Sequence, residues 1–118
     1  MAQSTIQIPS VEQYTIQSSD YANLSGATVV LERQDNIVSV RFQTIGTITA
    51  SGDSWVTLFT VPTRFRPANN QKMLGMVENG SDYTPYEIRM ATSGEFQVYA
   101  PTKGHKLWGG SFFYMIVN

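Results

Sequence analysis

Apolar and polar residues alternate with a period of two along most of the chain. In Ile37 to Thr44, Val38, Val40 and Phe42 alternate with Ser39, Arg41 and Gln43, the pattern of a strand with one buried and one wet face. Thr28 to Arg33 precedes it, and Gln34-Asp35-Asn36 between the two predicts a hairpin, because Asp and Asn tolerate a left-handed backbone. Ile45 to Thr49 bends and continues, and Ser51-Gly52-Asp53-Ser54 is a turn. Trp55 to Val61 is apolar on both faces, which predicts a strand buried on both sides, or set between the core and a neighbouring subunit.

A stiff corner follows from Pro62 to Gln71. Pro67 fixes its own φ and pushes Arg66 toward an extended conformation, so Arg64-Phe65-Arg66-Pro67 is expected to be structural, with Arg66 pairing a carboxylate or capping nearby carbonyls. Lys72 to Val77 predicts another strand, ended by the turn cluster Asn79-Gly80-Ser81-Asp82. Tyr86, Ile88 and Met90 then alternate with Glu87 and Arg89. Across the turn Ala91-Thr92-Ser93-Gly94, Phe96 and Val98 alternate with Glu95, Gln97 and Tyr99. This is the clearest hairpin in the chain, and its outward face would carry Glu87, Arg89, Glu95, Gln97 and Tyr99. Pro101 to Lys106 is a loop, Leu107-Trp108 leads to Gly109-Gly110, and Ser111 to Val117 is an aromatic strand. No segment keeps helical spacing over three turns. The expected class is all-β, a small antiparallel β-barrel or jelly-roll-like sandwich of about seven to nine strands.

Residues 1 to 25 differ from the rest. They are rich in Ser, Gln, Thr and Tyr, with one weak alternation at Thr5 to Ile8. They are expected to form a polar arm or adaptor, or else an ordinary first strand, ahead of a barrel domain over 26–118. The first ten residues lack a basic start and an apolar run, so neither a signal peptide nor a membrane span is expected.

Composition narrows the partners. Eight Lys and Arg against nine Asp and Glu give a net charge of −1, spread without a basic block, so neither nucleic acid nor an anionic membrane is favoured. The absence of cysteine removes disulfides and thiolate metal sites. Only 14% of residues are charged, against about a quarter in ordinary soluble domains. That low charge points to burial between subunits or to a polar, uncharged binding surface.

The chain carries none of the local signatures of catalysis: no Gly-x-Ser-x-Gly elbow, no phosphate loop, no His-Glu-x-x-His, and a single histidine, His105. Asp82 and Glu87 as a glycosidase pair is less favoured than a turn residue and a strand residue that share a surface. No enzymatic activity, cofactor or metal is expected. Trp55 reads as core or subunit interface. Trp108, between a polar loop and two glycines, is equally a binding or a packing residue. A saccharide site needs an aromatic ring and a few fixed polar groups, and Asp82, Tyr83, Tyr86, Glu87, Arg89, His105 and Trp108 could supply them.

Asp35 to Val40, Trp55 through Phe65-Arg66-Pro67, Ile88 to Val98 with Gly94 at its turn, and Gly109-Gly110 before the last strand follow one another in a telling order. Over about residues 28 to 117 the chain resembles the head domains of phage tail-fibre and baseplate receptor-binding proteins. The resemblance implies a homotrimeric β-barrel on a virion's tail tip or baseplate, made in the bacterial cytoplasm and binding host cell-wall saccharides without catalysis. It carries the saccharide site to Asp82, Arg89, His105 and Trp108, with Tyr86 and Glu87 beside them, and the N-terminal arm to other tail or baseplate proteins. The collagen-like or coiled-coil neck of longer family members has no counterpart here. Two other readings remain open at this stage, a structural virion protein that binds no saccharide and a monomeric carbohydrate-binding module.

Overall fold

The computed structural model describes residues 11–107 and 111–116. Among the described residues, eleven strands form two antiparallel sheets. The first contains β1 (Glu12–Thr15), β3 (Thr28–Gln34), β4 (Ile37–Thr44) and β11 (Ser111–Met115), in the order β1-β3-β4-β11. The second contains β2 (Leu24–Ser25), β5 (Gly46–Ile48), β6 (Trp55–Thr60), β7 (Gln71–Asn79), β8 (Asp82–Met90), β9 (Glu95–Tyr99) and β10 (Lys106–Leu107). Its order is β2-β5-β10-β7-β8-β9-β6.

This second sheet nearly closes on itself. Just ahead of β2, the amides of Ala22 and Asn23 donate to Leu58 O and Thr57 O on β6, the far edge of the sheet, and Tyr21 bridges to Phe59. Closure satisfies an edge that would otherwise stand open. The result is the expected all-β barrel-like architecture. It has more strands than expected because β1, β2, β5 and β10 are two to four residues long, too short for alternation to show.

The core lies between the sheets. Phe42 and Phe112 from the first sheet meet Phe59 and Phe96 from the second, with the rings of Phe59 and Phe96 stacked at 4.6 Å and Phe42 edge-on to Phe59 and Phe112. The two-faced apolar pattern of β6 has a local cause. Thr57 pairs with Gln97 and Phe59 with Phe96, so Leu58 is the extra residue of a bulge. The bulge lets Leu58 and Phe59 both enter the core. Trp55 is outside this core: it is half-buried on the outer face of β6, which corrects the core half of the expectation of a core or subunit-interface ring.

The corner is fastened from three directions. Its residues Thr63–Phe65 form a single 3₁₀ turn. The Tyr114 hydroxyl donates to Phe65 O at 2.6 Å, and burial pushes its phenol far above the ordinary range. Arg66 Nε donates to Val61 O at 3.2 Å, the carbonyl cap expected of it. Arg66 also packs over Gly94, whose φ of +87° and lack of space for a Cβ require glycine there. Arg64 lies over the rings of Tyr14 and Phe65 and pairs with Glu12, which ties β1 to the corner.

The β7–β8 hairpin is long and regular, paired from Gln71↔Met90 to Asn79↔Asp82. On its far side, β11 runs antiparallel beside β7. Met115 N donates to Gln71 Oε1 at 2.8 Å at one end, and at the other the Phe112 ring lies over Gly75, where an added Cβ would come within 3.1 Å of it and closer still to Ile88 Cδ1.

Candidate functional site

Register builds an organised surface on the outer face of β6, β9, β8 and β7. Arg89 lies opposite Gln97 and Lys72, and Gln97 lies opposite Thr57, so Thr57, Gln97, Arg89 and Lys72 form one row across four strands. Two residues along, Trp55 is opposite Tyr99 and Leu74 is opposite Glu87. The β-pleat makes both rows face the same way.

Hydrogen bonds run along the first row in one direction. Arg89 Nε and Nη2 donate to Gln97 Oε1 at 2.9 and 2.6 Å. Because guanidinium only donates, this fixes the Gln97 amide, whose Nε2 then donates to Thr57 Oγ1 at 3.1 Å. Thr57 Oγ1 donates in turn to Glu95 Oε2 at 2.5 Å, and Ser93 Oγ donates to the other carboxylate oxygen at 3.0 Å. The Thr57 and Ser93 hydroxyls hold the Glu95 carboxyl below the usual carboxylate range. The row thus begins at a cation and ends at an anion.

The second row supplies aromatic surface. The Arg89 guanidinium lies 4.2 Å from the Trp55 ring centre, a cation–π contact, and Tyr99 meets Trp55 edge-on at 5.3 Å. Tyr99 is 43% exposed. Lys72 Nζ is 6.0 Å from the Trp55 ring centre and pairs with Glu87 at 2.9 Å. Aromatic faces, a guanidinium, a carboxamide and a carboxylate, all held on strands, are the groups that recognise polyhydroxylated ligands.

The six residues singled out from the sequence fall in different places. Glu87 and Arg89 belong to this face. Tyr86 and His105 are together elsewhere: the buried Tyr86 hydroxyl is 2.6 Å from His105 Nδ1 and accepts the Thr102 amide at 3.0 Å. This contact pins the 101–105 loop. The loop is also stitched to residues 48–52 by Gly104 N to Ile48 O, Gly52 N to Pro101 O and Lys103 N to Ser51 Oγ. Asp82 is at the tip of the β7–β8 hairpin, seven residues from Arg89 and therefore about 23 Å along the strand. Trp108 lies outside the described residues. Trp55, Gln97, Tyr99 and Thr57 were not among the six. The alternation of the hairpin turns Gln97 and Tyr99 outward, but only the β6–β9 register brings Trp55 and Thr57 to them. Among the described residues no group of three or more His, Asp or Glu could hold a metal ion.

No protein-family model matches the sequence, and no curated protein matches it. Solved structures do match it in shape. The receptor-binding head domain of the lactococcal phage bIL170 superposes with a TM-score of 0.67 over 92% of this chain and 100% of its own, at 13% identity. This chain has the fold of a phage receptor-binding head domain. The receptor binding protein of Listeria phage PSA is similar as well, with a TM-score of 0.60 at 14% identity, over 89% of this chain and 66% of its own. On this head fold, the two outer-face rows lie on the strands of the barrel, with the loops at its ends.

Proposed function

We propose that this chain is the receptor-binding head of a phage tail tip or baseplate, that it binds a saccharide of the host cell wall without catalysis, and that it assembles as a homotrimer. The observation that carries the reading is the outer face, where Trp55 and Tyr99 stand beside the prearranged Arg89–Gln97–Thr57–Glu95 row, on a fold shared with phage receptor-binding proteins. A sugar ring lies its C–H face on Tyr99, and the Arg89 guanidinium and the Glu95 carboxylate meet its hydroxyls. The row is already ordered, so little conformational entropy is lost on binding.

Non-catalytic binding fits the Glu95 carboxylate. Glu95 is held ionised by its hydroxyl partners, so it is not poised as the proton donor that glycoside hydrolysis requires. Affinity per site is modest. Several heads on one particle multiply it by roughly a hundredfold or more. Attachment to other tail or baseplate proteins belongs to the N-terminal residues 1–25.

The test is titration of purified cell-wall polysaccharide from candidate host bacteria into the full chain, followed by calorimetry and by Trp fluorescence. Saturable binding that Tyr99→Ala and Arg89→Ala each weaken about tenfold or more supports the reading. Binding that neither variant alters removes this face from the site, and no binding to any polysaccharide leaves a structural virion protein.

A further inference from the structure

Two outward faces of the barrel expose large apolar side chains, and they meet along the seam where β11 runs beside β7. On the β7–β8 face, Leu74 is 74% exposed, with Met76 and Tyr83 more than half exposed next to it. The register places Met76 opposite Pro85 and Leu74 opposite Glu87, so these residues form one strip. On the β4–β11 face, Phe113 is 61% exposed, and Ile37 and Met115 are half exposed. There Val11, Ile37 and Phe113 line a groove of about 400 Å³. Seven of the nine exposed large apolar side chains among the described residues belong to these two faces.

We infer that these faces pack against each other between copies of this chain, the Leu74–Met76 ridge of one protomer entering the Ile37–Phe113 groove of the next. The inference rests on the homotrimer proposed above and assigns its surfaces. At roughly 100 Å² for each half-exposed large side chain, the two faces together expose about 700 Å² of apolar surface. That is more than the few hundred Å² a monomer ordinarily leaves bare, and comparable to the apolar share of a standard interface of about 1,600 Å². Because the faces differ and meet at a seam, each protomer is a wedge with one neighbour on either side. Contacts of this heterologous kind close into a ring when the rotation allows.

Charge fits the same pairing. Lys72 lies on the ridge strand and Lys106 on the strand beside it, while Glu32 and Asp35 line the groove. Each face also holds counter-charges, Glu87 against Lys72, Glu78 opposite Lys106 and Arg41 against Glu32, so apolar contact supplies the affinity. The outer-face rows continue through Glu87 into Leu74, which places the candidate saccharide site beside the junction.

The test uses the full chain and two surface variants, Leu74→Asp and Phe113→Asp, with mass measured by light scattering after size exclusion. The wild type is expected at roughly 40 kDa, three times 13.2 kDa, and each variant alone at the monomer mass with an unchanged circular dichroism spectrum. If Phe113→Asp disturbs the fold, Met115→Asp replaces it. Mixed at about 100 μM, the two variants retain one wild-type junction between them and are expected to form a one-to-one dimer. A wild-type monomer, variants that stay trimeric, or a mixture that stays monomeric would each overturn the inference. Polysaccharide binding by the wild type is measured separately, so failure of the saccharide reading is distinguished from failure of this one.

Discussion

Arg89 holds the outer face together at the level of single residues. Its guanidinium covers Trp55 and orients Gln97 through two donors. Arg89→Ala is expected to cost about 1 to 2 kcal/mol in a denaturant melt, from one unsatisfied amide oxygen and one cation–π contact. Trp55→Ala is expected to cost about the same, below the 3 to 5 kcal/mol of a fully buried tryptophan, because half-burial leaves a smaller cavity. Gly94→Ala is expected to destabilise more than either: the site has φ of +87°, and an added Cβ would come within 2.8 Å of Val61 O. Glu95 gives a pH dependence of defined sign. Its carboxyl is depressed in the fold, so its contribution is present above the unfolded glutamate value of about 4.3 and is lost as pH falls through the lower folded value. Melting temperature should therefore fall on acidification below about pH 4.3, and less steeply in Glu95→Gln.

Elements were legible in the sequence where they alternate over four residues or more. β4 was anticipated over its full range and the β8–β9 hairpin with its outward set, because Val38-Val40-Phe42 and Ile88-Met90 against Phe96-Val98 leave no other face to bury. Both faces of β6 looked apolar for a reason periodicity cannot carry. One bulge at Leu58 shifts the pattern by a residue, so that Phe59 turns inward beside Leu58 while Trp55 stays outside. The candidate face was legible only in halves. Alternation orients Arg89, Gln97 and Tyr99, but their meeting with Trp55 and Thr57 depends on register between β6 and β9, which are separated in sequence by two strands of another hairpin. Tyr86 and His105 were visible as residue types, whereas their contact beneath the 101–105 loop depends on that loop's path.

Closure governs the molecule as a whole. Ile16 and Leu24 are buried, and residues 21–23 bind the edge of β6, so the described part of the N-terminal 25 residues is stitched to both sheets. Deleting residues 1–25 is therefore expected to lower the melting temperature by roughly 10 °C or more, through lost apolar burial and an opened sheet edge. A deletion that leaves the melt unchanged would mean that the barrel holds without its closing segment. Arg64→Ala, which frees β1 from the corner, is expected to lose less than 1 kcal/mol, because its ion pair with Glu12 is exposed.

The placing of the outer-face rows on paired strands has a further consequence, for adaptation. Side chains at Tyr99, Gln97, Glu87 and Lys72 project from a backbone whose hydrogen bonds are already satisfied by neighbouring strands. Replacing one of them changes the chemistry offered to a ligand without changing the course of the chain. Under the proposed receptor-binding role, such a head moves to a new receptor one substitution at a time, each intermediate still folding.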